Sequence, residues 1–302
     1  MTSRTRSWST FRWLAKATGV VLVCLVFQAC SAVRLAYTQA PALAQWRIDS
    51  YLDLSGEQAA RVRADMESLH RWHQQIQLPR QLAQLRDVQR QLVGDLSPST
   101  ACAAYEAFRA DALELLSRGE PTLVWLALDL KSEQIDHLQR HLAQQRKEAA
   151  QDEAGRSAVA AREARFQQWL SRGEALYGRL EAPQKMVLRT AVDEASLDVE
   201  TAQAWRHARD EDVVNTLRVI HQQKPLAGQA STQLRALMER TQNPVDPVHR
   251  ALVLRLRKDG CTTFSRLHNT TTRAQRQTAA LKVAAYDADF RPLVVAIGSD
   301  GR

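Results

Sequence analysis

The chain has 302 residues, 41 basic against 33 acidic for a formal charge of +8, 45% hydrophobic residues and only 11 glycines. This balance excludes disordered and collagen-like chains and gives enough length for one large domain or two small ones. No phosphate-binding glycine loop, nucleophile elbow or zinc-protease signature is present, so no cofactor is expected and the enzyme classes legible from such motifs are set aside.

At the N-terminus, Arg4, Arg6, Arg12 and Lys16 precede an uncharged run from Ala17 to Phe27. A basic stretch followed by a short apolar one reads as a signal peptide over residues 1–29. The run ends at Arg34, short against the roughly 20 apolar residues of a spanning helix. Cys30 follows the small Ala29, where a thiol accepts diacylglycerol before cleavage, so Cys30 reads as the lipidated first residue of the mature chain. Cys24, behind Val23 inside the apolar run, does not fit. Phe27 and Gln28 depart from the preferred residues before the cysteine, which keeps an uncleaved anchor open as the alternative. Ser31, in place of aspartate, favours the outer over the inner membrane. The expected address is the bacterial cell envelope, facing the periplasm.

Cleavage would remove four basic residues and no acid, leaving 37 against 33, or +4. The basic balance is therefore poor grounds for a nucleic-acid partner, and none is expected. Cys102 and Cys261 remain as an even pair in an oxidising compartment and are expected to form a disulfide. It would close a loop of about 160 residues, contributing on the order of 4–5 kcal/mol. Two buried free thiols are the alternative.

The mature chain reads as all-α, a multi-helix bundle of long antiparallel helices. It divides into a lipidated N-terminus and tether over 30–50, a helical domain over 51–297 and a loose tail over 298–302. Apolar residues recur three and four apart and nowhere in sustained alternation. Helices are expected over 55–77 and 80–93, stopped or kinked at Leu78-Pro79. A third starts with Ser97 as cap and Pro98 in its first turn. Others are expected over 122–151, with a kink near Lys131, and over 156–171. The longest runs over 183–223, with a stripe from Leu188 and Val192 to Val213, Leu217 and Ile220 that other helices must cover. A loop over 224–231 and the break at Asn243-Pro244 precede a last pair over 248–267 and 272–287.

Four related pentapeptides stand at helix starts: Leu54 to Gln58, Leu130 to Gln134, Leu180 to Gln184 and Thr271 to Gln275. In the first and last, Ser55 or Thr272 can accept from the backbone three residues on while the glutamine reaches back, a capping box. Lys131 and Glu181 occupy the cap in the middle copies, so half the motif survives there. The mechanics expected are those of four independent helix N-termini. The motif resembles the Leu-Thr-x-x-Gln signature of small all-helical periplasmic stress chaperones, some of which bind zinc. More of the chain is similar to an uncharacterised family of bacterial lipoproteins, known as a domain of unknown function. That resemblance is carried by Cys30-Ser31, Arg34 to Tyr37, Leu54 to Gln58, Trp72-His73, Leu78-Pro79, Gly178 to Leu180 with Gln184, and Leu267 to Gln275 with Tyr286 and Asp289. It implies fold and address and brings no activity.

For chemistry, Glu133, His137 and His141 lie four apart on one helical face and form a metal candidate, suited to Zn²⁺. Solvated polar residues are the plain alternative. His70 and His73 bracket Trp72, which reads as a core anchor with His73 hydrogen-bonded nearby. Arg250, Arg255, Arg257, Lys258, Arg266, Arg273 and Arg276 face one acid, Asp259, across 249–276. This is either a solvated face or a contact for anionic lipid. The reading that follows is a non-enzymatic, membrane-anchored envelope protein that binds a protein client or envelope component between helices. The alternative is an envelope hydrolase or metal-dependent enzyme with a site assembled from separate helices. A polar cleft gathering His73, His137 or several acids would favour the enzyme.

Overall fold

A computed structural model describes residues 33–194 and 199–295. The signal peptide, the lipidation at Cys30 and the tail from 298 lie outside the described residues. Within them all regular structure is helical. A helical stretch over 33–38 leads into α1 (Ala40–Leu52), followed by α2 (Gly56–Trp72), α3 (Leu78–Gln91), α4 (Pro98–Arg118), α5 (Glu120–Asp129) and α6 (Ser132–Ala154). Then come α7 (Ala158–Tyr177), α8 (Ala182–Glu194), α9 (Val199–Gln223), α10 (Ala227–Gln242), α11 (Pro247–Asn269) and α12 (Arg273–Phe290).

Local chemistry sets the breaks. Pro79 removes a backbone donor, and the ladder absorbs the loss by widening into a π turn over His73–Gln77 that carries α2 on into α3. Ser97 caps α4, its Oγ accepting from the Thr100 N–H at 3.0 Å. Leu130 turns extended, so the helix expected over 122–151 is two, with a full break where a kink was expected. The expected loop over 224–231 is shorter: Lys224 adopts φ 45°, and α10 already begins at Ala227, taking Gly228 into the helix. The segment expected as a tether over 30–50 is helical from residue 33, and α1 packs on α2 and α6.

Short connections fold successive helices back on one another. Six successive pairs alternate between two ends; four of them pack as hairpins, while α5–α6 and α11–α12 meet through the cores they share. The first end holds α1–α2, α5–α6 and α9–α10, and the second holds α3–α4, α7–α8 and α11–α12. Four composite rods join the ends: α2 with α3, α4 with α5, α6 with α7 and α10 with α11. A fifth is formed by α8 and α9, which flank residues 195–198. The sixth is assembled from opposite parts of the chain, α1 at the first end and α12 at the second. Tyr37, just before α1, meets Phe290 of α12 edge-on at 5.4 Å between ring centroids.

Helix contacts arrange the rods as a ring. The α1/α12 rod packs on α2/α3 and on α6/α7; α2/α3 reaches α4/α5, α6/α7 reaches α8/α9, and α10/α11 closes the circuit between α4/α5 and α8/α9. Each end has its own apolar core. Val62, Leu126, Leu130, Ile135, Leu138 and Val214 fill the first end, joined by a second cluster around Ile220, Ala230 and Leu234. Leu92, Phe166, Tyr177, Leu180, Leu188, Val192, Leu267 and Val283 fill the other. The apolar stripe expected over 183–223 is thus divided between the two cores.

The pentapeptides tie each end together. Gln58 and Gln134 are buried, and each amide donates to the other's Oε1, at 3.3 and 2.8 Å. Each Oε1 also accepts from the backbone N–H of its own cap residue, Ser55 or Lys131, at 3.0 Å. Each amide further donates to a carbonyl two residues before the partner's cap, Asp129 at 3.4 Å and Asp53 at 2.9 Å. Gln184 and Gln275 repeat the pattern at the second end, with mutual bonds of 2.8 and 3.1 Å and the carbonyls of Thr270 and Arg179 as acceptors. Four helix starts expected to be independent are therefore two reciprocal clasps, joining residues 76 and 91 apart. A histidine reinforces each: His221 Nδ1 donates to the Leu130 carbonyl at 2.8 Å and His268 Nε2 to the Gly94 carbonyl at 2.7 Å.

Candidate binding cleft

Between α2, the α4–α5 junction and α10 lies an open cleft of about 790 Å³. Leu69, Pro121, Val124 and Leu128 give it apolar walls, and two indoles, Trp72 and Trp125, stand in it. Arg61 and Asp65 are one helical turn apart on α2 and so face the same way. The Arg61 guanidinium lies 4.1 Å above the Trp125 ring, while Asp65 accepts from Trp125 Nε1 at 2.7 Å and from the Thr122 hydroxyl at 2.9 Å. Trp125 is held by its face and its N–H together. The Arg118 guanidinium stands 5.7 Å from the Trp72 ring. Glu120, buried at the start of α5, accepts from Arg235 at 2.8 Å and from the Ser231 hydroxyl. Those two bonds, Arg235 first, hold its carboxyl below the ordinary carboxylate range.

The cleft's polar groups are thus largely committed. Both carboxylates accept two hydrogen bonds each, and no histidine lines the cleft. What it offers a ligand is aromatic and aliphatic surface rimmed by guanidinium groups. Tryptophan and arginine are the residue types that dominate binding hot spots. A second groove, about 500 Å³, is lined by Tyr105, Trp205, Val253, Leu256 and Phe264 beside Cys261.

The residues singled out from sequence lie elsewhere, Trp72 excepted. Trp72, expected in the core, is half-buried on the cleft wall. His73 Nδ1 accepts from the Tyr37 hydroxyl at 2.8 Å, and the His70 ring lies 4.6 Å from that of Tyr37. Burial pushes the Tyr37 hydroxyl up to about 12 and pulls both imidazoles below their usual range. This cluster fastens the N-terminal helix to the π turn. His137 and His141 stack at 6.2 Å, but His137 Nε2 stands 3.4 Å from the Ser50 carbonyl, His141 is bonded to Gln145 and packs on Tyr51, and Glu133 is exposed. Among the described residues no three His, Cys, Asp or Glu side chains are grouped to hold a metal ion, so the three do not form the expected set.

The basic residues of α11 and α12 are partly paired. Arg257 approaches Glu106, Arg266 pairs with Glu194 and Arg276 with Asp95, and Arg250 donates to the carbonyls of Pro244 and Val245. Among the described residues Arg255, Lys258 and Arg273 have no such partner. The sulfurs of Cys102 on α4 and Cys261 on α11 stand at disulfide distance, 2.10 Å. No described helix is long and apolar enough to cross a membrane.

Sequence reasoning missed Arg61, Asp65, Arg118, Glu120, Trp125 and Arg235. The only signal available was the four-residue spacing of Arg61 and Asp65, which ordinary surface helices share. A family model, described as a family of unknown function, matches residues 50–245. No curated protein matches the chain, and no solved structure does.

Proposed function

We propose, for a chain that belongs to that family of unknown function, DUF6279, a non-enzymatic binding role in the bacterial cell envelope. The protein is anchored by lipid on Cys30, faces the periplasm and holds a segment of a client protein or envelope component in the Trp72–Trp125 cleft. One observation carries the reading: two indoles and three arginines line an open, largely apolar cleft whose two acids are already engaged. Open apolar surface with a few oriented polar groups suits recognition of an extended segment. The enzymatic alternative called for a polar cleft gathering His73, His137 or several acids; among the described residues, neither histidine lines this cleft, and its two acids, Asp65 and Glu120, are each engaged by two hydrogen bonds.

The test is photo-crosslinking in intact cells. A benzophenone side chain at Leu128 or Ser117, inside the cleft, is expected to give discrete adducts; one at Val159, exposed on α7 and outside the cleft lining, is not. Trp72→Ala should weaken capture by about thirtyfold, the cost of losing a hot-spot side chain worth about 2 kcal/mol. Adducts equal at all three positions, or untouched by Trp72→Ala and Arg118→Glu, would sink the assignment.

A further inference from the structure

The N-terminal helix is apolar on two sides. Facing inward, Ile48, Tyr51 and Leu52 pack into the first-end core. Facing outward, Leu35, Leu43 and Trp46 are 61%, 52% and 61% exposed. Helical bonding continues almost unbroken from the 33–38 stretch into α1, the Gln39 N–H donating to Leu35 O and the Leu43 N–H to Gln39 O. With 3.6 residues per turn the three side chains fall within roughly an 80° arc, opposite the inward set. A surface helix ordinarily keeps this side polar. Exposed Arg47 lies beside the stripe and also reaches the Tyr51 hydroxyl.

We infer that this outer face of the N-terminal helix, Leu35, Leu43 and Trp46 with Arg47 beside them, docks on the interface of an anionic phospholipid bilayer. The inference rests on the membrane-anchored reading above. Two features select a bilayer as the occupant. Cys30 and the uncharged run ending at Val33 lie immediately before this helix in sequence, so an anchored N-terminus delivers the stripe to the membrane. The composition is that of an interfacial helix: tryptophan prefers the headgroup level, leucines enter the acyl boundary and arginines meet lipid phosphates. Because α1 runs along a rod of the ring, docking lays the rods along the membrane, and the anchor together with the helix forms a two-part attachment.

The full chain, reconstituted into phosphatidylethanolamine–phosphatidylglycerol vesicles with brominated acyl chains, gives a direct readout through tryptophan fluorescence. With Trp8 and Trp13 replaced by Phe, so that an uncleaved leader adds no signal, quenching is expected and is expected to be lost on adding Trp46→Phe, which leaves Trp72, Trp125, Trp169 and Trp205 in the body. Leu35→Glu with Leu43→Glu should remove the quenching while circular dichroism and thermal unfolding stay unchanged, since both positions are exposed. Acylation of Cys30 is read separately by mass spectrometry. A chain acylated but unquenched at Trp46 overturns the docking face and leaves the anchor standing. A chain unacylated but quenched keeps the docking face and overturns the lipid anchor, and a chain neither acylated nor quenched overturns both.

Discussion

Single buried side chains carry much of the long-range order. In each clasp, one glutamine satisfies its own helix start, its partner's amide and a carbonyl on the partner's turn. Gln58→Ala would leave those groups unpaired in a buried place, at about 1–3 kcal/mol per orphaned group, less any relief from water. The signature is in the couplings. Gln58→Ala and Gln134→Ala together should cost less than their sum by about 1 kcal/mol or more, whereas Gln58→Ala and Gln184→Ala, which share no partner, should add. Urea unfolding of the three single and two double variants measures both. His268 gives a pH dependence. Fully buried, it accepts from the Tyr177 hydroxyl at 2.9 Å and donates to Gly94, and burial holds its pKa below the ordinary value despite the Gly94 bond. The unfolded chain keeps a histidine near about 6.5 and so binds the proton more readily. Its contribution is complete above that pH and is lost as pH falls below it. Urea midpoints should drop between neutral and mildly acidic pH, and the drop should shrink in His268→Gln; a midpoint flat with pH would contradict this.

At the scale of elements, the sequence located breaks best where covalent geometry dictates them. Pro79, the Ser97-Pro98 start and Asn243-Pro244 were all legible, because proline and capping side chains act within a few residues. Leu130 was half legible: no glycine or proline marks it, and α5 ends there because Gln134 finds Gln58 on another hairpin. That pairing spans 76 residues and has no local trace, which is also why the cleft stayed hidden. Arg61, Glu120 and Arg235 belong to three different rods. Gly173 makes the same point. It lies inside α7, where alanine should be the better helix former by about 1 kcal/mol. A Cβ there would stand 2.9 Å from Leu180 Cδ1 and 3.4 Å from Leu267 Cδ2, and both leucines are buried in the second-end core. Overpacking of that kind typically costs about 1–3 kcal/mol. Gly173→Ala is therefore expected to lower the midpoint of thermal unfolding; an increase would mean that helix propensity outweighs the close approach of Leu180 and Leu267.

For the whole molecule, ring closure depends on contacts between distant parts of the chain. Cys102 and Cys261 stand at disulfide distance, 159 residues apart, across α4 and α11. If the bond forms in the envelope, replacing both cysteines with serine should reduce stability by up to about 4–5 kcal/mol on the chain-entropy account. Thiol labelling without reductant should then find neither cysteine; two labelled thiols would refute the bond. Arg86 with Asp287, and the Asn269 side chain with both backbone groups of Leu96, join the same two regions of sequence.

The rod made of α1 and α12 also orders events in time. A chain that emerges N-terminus first presents the two halves of that rod with ten helices between them. Until α12 arrives, α3 and α7 lack a neighbour, and Gln184 waits for Gln275 while Gln58 can already hold Gln134. The first end can therefore assemble while the chain is still emerging, and the second must wait. Contacts this far apart in sequence slow folding and leave apolar surface uncovered meanwhile.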